Sequence, residues 1–132
     1  MYGETSATAA VAVSITIGIS PKLIKEALNG FKGVQRRFNK IFIYNNSIFF
    51  DDYAHHPTEI ASILEGVKKV YNRRKIITVF EPHRYSRVMS LKQAFSKSFI
   101  KSDVVLICPM YAAGEKTNSS FSLFNFAKSI SK

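Results

Sequence analysis

The stretch that decides the fold is Ser47-Ile-Phe-Phe-Asp-Asp-Tyr-Ala-His-His-Pro-Thr-Glu-Ile-Ala-Ser-Ile-Leu-Glu-Gly-Val-Lys-Lys-Val70. It opens as an apolar run that ends at Asp51, passes through a polar turn, and becomes a helical pattern. Pro57 suits the first position of a helix, because its ring fixes φ and its missing N–H would lack an intrahelical partner there anyway. Glu59 follows in the first turn, where a negative charge suits the helix dipole. Ile60, Ile63, Leu64, Val67 and Val70 then recur at helical spacing. A strand over Ser47–Asp51 and a helix from Pro57 are the expected elements.

Working outward from this unit, Ile41–Tyr44 reads as a second short strand, joined to the first by the turn-forming pair Asn45-Asn46. Asn72-Arg73-Arg74 ends the helix on the other side. Lys75–Phe80 is a continuous apolar strand. A helix is expected from about Ser86 to Ile100, with Leu91, Phe95 and Phe99 on one side. Asp103–Cys108 is another buried strand, Pro109–Ser119 a loop, and a last helix carries Phe121, Phe124, Ala127 and Ile130. Uninterrupted apolar strands alternating with amphipathic helices indicate an α/β fold, a mostly parallel sheet with helices on both faces. Before this block, Thr5-Ser6 precedes Ala7–Ile17, which reads as a buried helix ended by Gly18. Ser20-Pro21 starts a second helix that stops at Asn29-Gly30. Phe31–Phe38 reads as a linker with a basic end, Arg36-Arg37.

The 132 residues suffice for about one domain, and 46% of them are hydrophobic, so a packed core is expected rather than disorder. The single cysteine, Cys108, cannot form an internal disulfide and lies in an apolar run, so it reads as a buried reduced thiol. A net charge of +10 suits either a nucleic acid or an anionic small molecule. Because the Lys and Arg residues are scattered, nucleic acid is the less favoured partner. No apolar run reaches the ~18 residues of a membrane span. Ala7–Ile19 lacks preceding basic residues and is a poor signal peptide, so a cytoplasmic location is expected.

Polar residues cluster in Asp51–Glu59, Glu81–Arg87 and Pro109–Lys116, each directly after an expected strand. Ligands of open parallel sheets bind at the carboxyl ends of the strands, so three clusters there outline a site. In the first, alternation puts Asp51, Tyr53 and His55 on one side of an extended segment. A carboxylate there can accept hydrogen bonds from ribose hydroxyls, and a His can move a proton near neutral pH. A polar strand-to-helix turn whose side chains cap backbone groups accounts for the same residues. In the second, Arg84 and Arg87 are spaced to share one side of a helical turn, forming a carboxylate or phosphate clamp or a solvated basic corner. In the third, Tyr111-Ala-Ala-Gly-Glu115 permits close approach of a ligand, or is an ordinary loop. Asp51, Asp52, His55, His56 and His83 match no firm metal signature, so no intrinsic metal site is expected. A phosphate-cradling GxxxxGK[ST] loop is absent.

Asp52-Tyr-Ala-His-His-Pro-Thr-Glu59, Pro82-His-Arg-Tyr-Ser-Arg87 and Tyr111-Ala-Ala-Gly-Glu115, in this order, resemble the C-terminal domain of the UDP-N-acetylmuramate–L-alanine ligases within the Mur ligase family. Gly33-Val-Gln-Arg-Arg-Phe38 resembles that family's junction between central and C-terminal domains. The resemblance runs over nearly the whole chain and implies a Rossmann-like domain over 37–132, incomplete at its C-terminal end, preceded over 1–36 by a helical remnant of the ATPase domain. It implies an ATP- and Mg²⁺-dependent reaction in which the muramate carboxylate becomes an acyl phosphate that the alanine amine attacks. By position it implies nucleotide contacts from Arg37 and Asp52, and a hold on the alanine carboxylate by Arg84 and Arg87. Tyr53 and His55 would line the same pocket, with His55 orienting or deprotonating the amine. The UDP-sugar, phosphate and Mg²⁺ sites belong to domains this chain lacks, so the expectation for the chain alone is inactivity. The sequence departs from the family pattern at Glu4-Thr5 in place of His-Asn, at Thr8 in place of Asn, and at Glu81 in place of a common Gln. A basic, non-enzymatic binding module derived from a ligase is the alternative these departures and the charge leave open.

Overall fold

The structure, a computed structural model, describes residues 2–31 and 36–130. The linker expected over 31–38, and with it part of the junction motif, falls partly on 32–35, outside the described residues. The chain divides at Arg36 into two compact units.

The first unit holds α1 (Tyr2–Thr16) and α2 (Pro21–Gly30). Gly18 ends the first helical run at φ +84, a left-handed conformation that glycine adopts without a Cβ clash. Ser20 caps α2 by accepting a hydrogen bond from the Leu23 amide at 3.4 Å. The helix expected to be buried is not: Val13, Ile15 and Ile17 are exposed. Apolar residues surround the axis of α1 instead of forming a stripe. Such a helix needs neighbours on every side, and among the described residues of its unit the one helix packed on it is α2.

The second unit opens with a hairpin of β1 (Asn39–Tyr44) and β2 (Ser47–Asp51), paired antiparallel. Asn45 and Asn46 both have positive φ, 43° and 62°, as a two-residue type I′ turn requires. The helix α3 (Pro57–Val70) starts and stops where the sequence pattern does. The strand β3 (Ile77–Phe80) pairs in parallel with β4 (Val104–Ile107), and α6 (Leu123–Ile130) follows β4. The single helix expected from Ser86 to Ile100 is two, α4 (Tyr85–Ser90) and α5 (Lys92–Ser98). The Ser90 hydroxyl donates to the Arg87 carbonyl at 3.1 Å, and Leu91 sits outside helical geometry at φ −108, ψ 18. A serine bonding back to its own helix competes with the ladder and bends the chain. No helix among the described residues is long and apolar enough to cross a membrane.

One apolar core joins Ile60 and Leu64 of α3, Ile76 and Phe80 at β3, Val88, Phe95, Phe99, Phe126 and Ile130. Phe95 is wholly buried, with ring centroids 5.7 Å from both Phe80 and Phe126. Cys108, expected to be buried, is only half-buried, because it lies just past the end of β4.

The α/β architecture is present, with two features of its own. First, β2 pairs with β1 and, among the described residues, not with β3, so the sheet is in two pieces. Second, the described helices contribute their core residues to one face of the β3–β4 pair. On the other face Val79 is 65% exposed, whereas Phe80 beside it is 5% exposed. Right-handed crossovers that advance the same way across a sheet stack their helices on the same side. The steps from β2 to β3 to β4 do this, so this chain's own crossovers cover one face.

Candidate functional site

The three strand-end segments expected to form a site do converge. Beyond the last paired residues of β3 and β4, a parallel bridge joins His83 to Tyr111. The Arg84 amide donates to the Tyr111 carbonyl at 2.9 Å, and the Tyr111 amide donates to the Pro82 carbonyl at 2.8 Å. One turn further on, the Ser86 amide and hydroxyl both donate to the Glu115 carboxylate, the amide at 3.1 Å. The Ser86 hydroxyl first, then its amide, hold the Glu115 carboxyl below its ordinary pKa. This lacing leaves Arg84 at φ +66, ψ 121, a region that non-glycine residues rarely occupy. Backbone held in such a region requires over-determined surroundings, a feature that clusters at functional sites.

The segment after β2 meets this lattice through rings. The His83 ring lies 5.1 Å from Tyr111, 6.1 Å from Tyr53 and 6.2 Å from His55, stacked on the last. Tyr53 and His55 contact each other edge-on at 5.2 Å. Four rings from three loops thus form one patch. Arg36 closes it from outside, its guanidinium 5.2 Å from the Tyr53 ring centre and 3.6 Å from Asp51.

Hydrogen bonds fix the two histidines. His55 Nδ1 lies 2.9 Å from the Tyr53 carbonyl oxygen and 3.9 Å from a Glu59 oxygen. Both neighbours are acceptors, which assigns the proton to Nδ1 and leaves the lone pair of the neutral ring on Nε2. His83 Nε2 lies 3.0 Å from Glu81 Oε2, which sets a carboxylate beside a ring of the patch.

Below the patch, His56 is the N-cap of α3, its ring accepting from the Thr58 amide at 3.3 Å. Glu59 reaches back to accept from the His55 and His56 amides at 3.2 and 3.3 Å, completing a capping box. Burial raises the Glu59 pKa, but those two amides, with His55 and Arg37 nearby, outweigh it and the net shift is downward.

Of the residues singled out from sequence, Tyr53 and His55 sit in the ring patch, and Arg84 is tied by its main chain to Tyr111. Arg87 lies on α4, half-buried. Asp52 turns to the backbone: one oxygen accepts from the Phe38 amide and the other from the Ala54 amide, both at 2.7 Å. Arg37 is exposed, and its charge acts on Glu59. Missing from the sequence selection are His83, Tyr111, Glu115, Glu59 and Arg36. All but Arg36 lie inside the polar clusters already noted, and Arg36 adjoins the residue that was chosen. No group of three or more His, Cys, Asp or Glu side chains able to hold a metal ion occurs among the described residues.

The chain as a whole resembles known proteins. Over all 132 residues the chain is 56% identical to the UDP-N-acetylmuramate–L-alanine ligase of Pelagibacter ubique, of which it spans 28%. It superposes along its whole length on 28% of the Thermotoga maritima UDP-N-acetylmuramate-alanine ligase MurC, with a TM-score of 0.71 and 30% identity. A murein peptide ligase from Psychrobacter arcticus matches 76% of the chain, which covers 21% of it, with a TM-score of 0.65 and 34% identity. The chain therefore spans well under a third of the length of these relatives. The model of the Mur ligase glutamate ligase domain matches residues 36–127, the second structural unit with its strand-end loops, and on that match the chain belongs to the Mur ligase family.

Proposed function

We propose that this chain is the amino-acid-binding portion of an ATP-dependent ligase that joins L-alanine to UDP-N-acetylmuramate, and that it does not turn over alone. One observation carries the reading: three strand-end loops meet in a single patch that joins an oriented His55 to the strained Arg84 segment. L-Alanine presents a carboxylate and an amine. Arg84 and Arg87 would hold the carboxylate, since guanidinium donors match its two oxygens. His55 would accept a proton from the amine, or orient it, through Nε2. Its Nδ1 is committed to the Tyr53 carbonyl, the arrangement that prepares a neutral imidazole to act as a base. Tyr53 would form the apolar wall of the pocket.

The nucleotide fits this chain at one edge only. Asp52 uses one lone pair of each oxygen on backbone amides, and a carboxylate has about four acceptor sites, so acceptors remain for ribose hydroxyls. Arg37 would contribute a charge beside them. Neither a phosphate-cradling glycine loop nor a metal-ligand cluster occurs among the described residues, so the phosphates and Mg²⁺ do not fit here. The UDP-sugar would likewise bind to protein outside this chain.

Two measurements test the reading. ADP release by this chain with UDP-N-acetylmuramate, L-alanine and Mg-ATP should stay at background, and clear turnover would overturn the reading. In a full-length ligase carrying this domain, Arg84→Ala should raise the KM for L-alanine by the ~2–5 kcal/mol that truncating one partner of a buried charge pair costs. UDP-sugar binding should be spared, and equal loss for both substrates would remove the clamp.

A further inference from the structure

The amides of a helix's first turn need acceptors from outside the helix ladder. The helix α3 provides its own, through His56 and Glu59. The helix α4 does not. Its N-cap position is held by Arg84, whose guanidinium donates hydrogen bonds and accepts none, and no side-chain cap bond runs from it to the helix. The acceptor comes instead from 29 residues further along the chain. Glu115 takes the Ser86 amide on one oxygen, at 3.1 Å, and the Ser86 hydroxyl on the other. Those two bonds, hydroxyl first, with the Tyr85 amide and the Arg84 charge behind them, outweigh burial and hold the carboxyl below its ordinary pKa. Glu115 is thus ionised near neutral pH, the form that suits a helix start.

The loop that carries Glu115 follows α4 along its length. Tyr111 exchanges main-chain bonds with Pro82 and Arg84. The Glu115 amide then donates to the Ala112 carbonyl at 3.1 Å, across a tight turn whose central residues Ala113 and Gly114 have φ 51 and 87. This turn aims the Glu115 side chain back at α4. Beyond it, the Asn118 side chain donates to the Met89 sulfur at 3.3 Å, and the Phe121 ring lies 5.4 Å from that of Tyr85. Asn118 is fixed in turn by accepting from the Ser120 amide at 2.9 Å. The motif Tyr111-Ala-Ala-Gly-Glu115 therefore reads as a bond to the strand end, a reversal, and a cap.

Ser86 stands between Arg84 and Arg87, so the bonds it makes fix the turn that carries both guanidinium groups. Arg84 sits in the strained region at φ 66. Backbone strain of this kind and the loss of a helix cap are of similar size, so the cap decides whether the strained turn stays the main state. A cap within the chain would need Ser, Thr, Asp or Asn at position 84, which would remove the arginine. Moving the cap to a distant loop keeps both.

We propose that Glu115 is a positioning residue for the amino-acid substrate: from the loop after β4 it caps α4 and keeps Arg84 and Arg87 set to take one carboxylate together. The proposal rests on the reading of Arg84 and Arg87 as the L-alanine clamp. Glu115 itself touches no substrate. Its effect is on the fraction of molecules whose clamp is formed, and an apparent affinity falls in proportion to that fraction.

The test is steady-state ADP release by a full-length ligase carrying this domain, comparing Glu115→Ala, Glu115→Gln, Ser86→Ala and Arg84→Ala. Glu115→Ala should raise the KM for L-alanine about tenfold, the size of a lost cap, and leave kcat at saturating L-alanine within about twofold. The KM for UDP-N-acetylmuramate should not move. Glu115→Gln keeps an oxygen for the Ser86 amide and should bring the L-alanine KM back to within about threefold of the wild type. Ser86→Ala removes the hydroxyl bond alone, does not threaten the fold, and should raise the same KM about threefold. An unchanged L-alanine KM in Glu115→Ala, beside a raised one in Arg84→Ala, overturns the proposal and leaves the clamp standing. So does an unchanged KM in Ser86→Ala where Glu115→Ala fails to fold. A lowered KM in Glu115→Ala overturns it too, since the carboxylate would then compete with the substrate for Arg84. An unchanged KM in Arg84→Ala overturns the clamp, and the proposal with it.

Discussion

The carboxyl edge of the sheet and its middle follow opposite designs. At the edge, loops from β2, β3 and β4 are joined by main-chain bonds, a carboxylate and four rings, and Tyr53 and His83 meet across the gap. Only a few residues away, β2 and β3 do not pair with each other among the described residues, and a groove lined by both strands and by Ile60, Ile63 and Leu64 of α3 lies there. The contrast teaches that, among the described residues, the loops of the site are not brought together by a continuous sheet. Short-range side-chain contacts and caps hold each loop, and the helical core beneath holds the strands that carry the loops. The edge is thus independent of the groove but dependent on the core, and each dependence can be broken separately.

The largest break is through the core. Phe95 is wholly buried between Phe80 and Phe126, and it connects the β3 strand to α6. Phe95→Ala removes a ring from a close-packed centre and should cost about 3–5 kcal/mol. Urea unfolding of the second unit followed by tyrosine fluorescence measures the loss. If the ring patch survives with native stability, the edge does not depend on the core.

How much of this contrast was legible in the sequence differs by region. Short-range features were read correctly because local rules determine them. Asn45-Asn46 demands positive φ twice, and Pro57 with Glu59 marks the start of α3. Three polar clusters after three strands mark the edge. The gap between β2 and β3 was not legible, because periodicity identifies a strand without naming its neighbour, and pairing is decided across many residues. The break at Leu91 was hidden because Phe95 and Phe99 keep the helical spacing through it, and only the Ser90 hydroxyl disturbs the ladder. The contact of Arg36 with the Tyr53 ring was not legible either: Arg36-Arg37 offers two equal charges, and it is Arg36, at φ 57, that meets the ring. The α1 burial failed for another reason. Small apolar residues state that a helix wants neighbours, not that the chain provides them.

A second, smaller break separates β2's loop from its framework. Asp52 braces the amides of Phe38 and Ala54, one partly exposed and one partly buried. Asp52→Ala leaves both donors without this partner and should cost about 1–2 kcal/mol, reduced at the exposed amide because water replaces the acceptor. The Ala54 amide should exchange faster, while the amides of Arg84 and Tyr111, on the β3–β4 side, keep their native rates. Faster exchange on both sides would mean that the edge is a single cooperative unit rather than separately held loops.

The smallest expected effect is the sharpest probe of the loop that carries His55. Glu59 accepts from the amides of His55 and His56, and its pKa is lowered in the folded state. A lowered folded pKa means the unfolded chain binds the proton more tightly. The stabilisation is therefore fully present above the unfolded value of about 4.3 and is lost as pH falls through the folded value. Glu59→Gln retains an acceptor for the cap and removes only the charge, so near neutral pH it should cost less than about 1 kcal/mol. Its signature lies in acid. Wild-type stability should fall more steeply than that of the variant below about pH 4.3, and the two curves should approach each other there. Urea midpoints measured across that acid range check this, and parallel curves would mean that the Glu59 charge does not stabilise the fold.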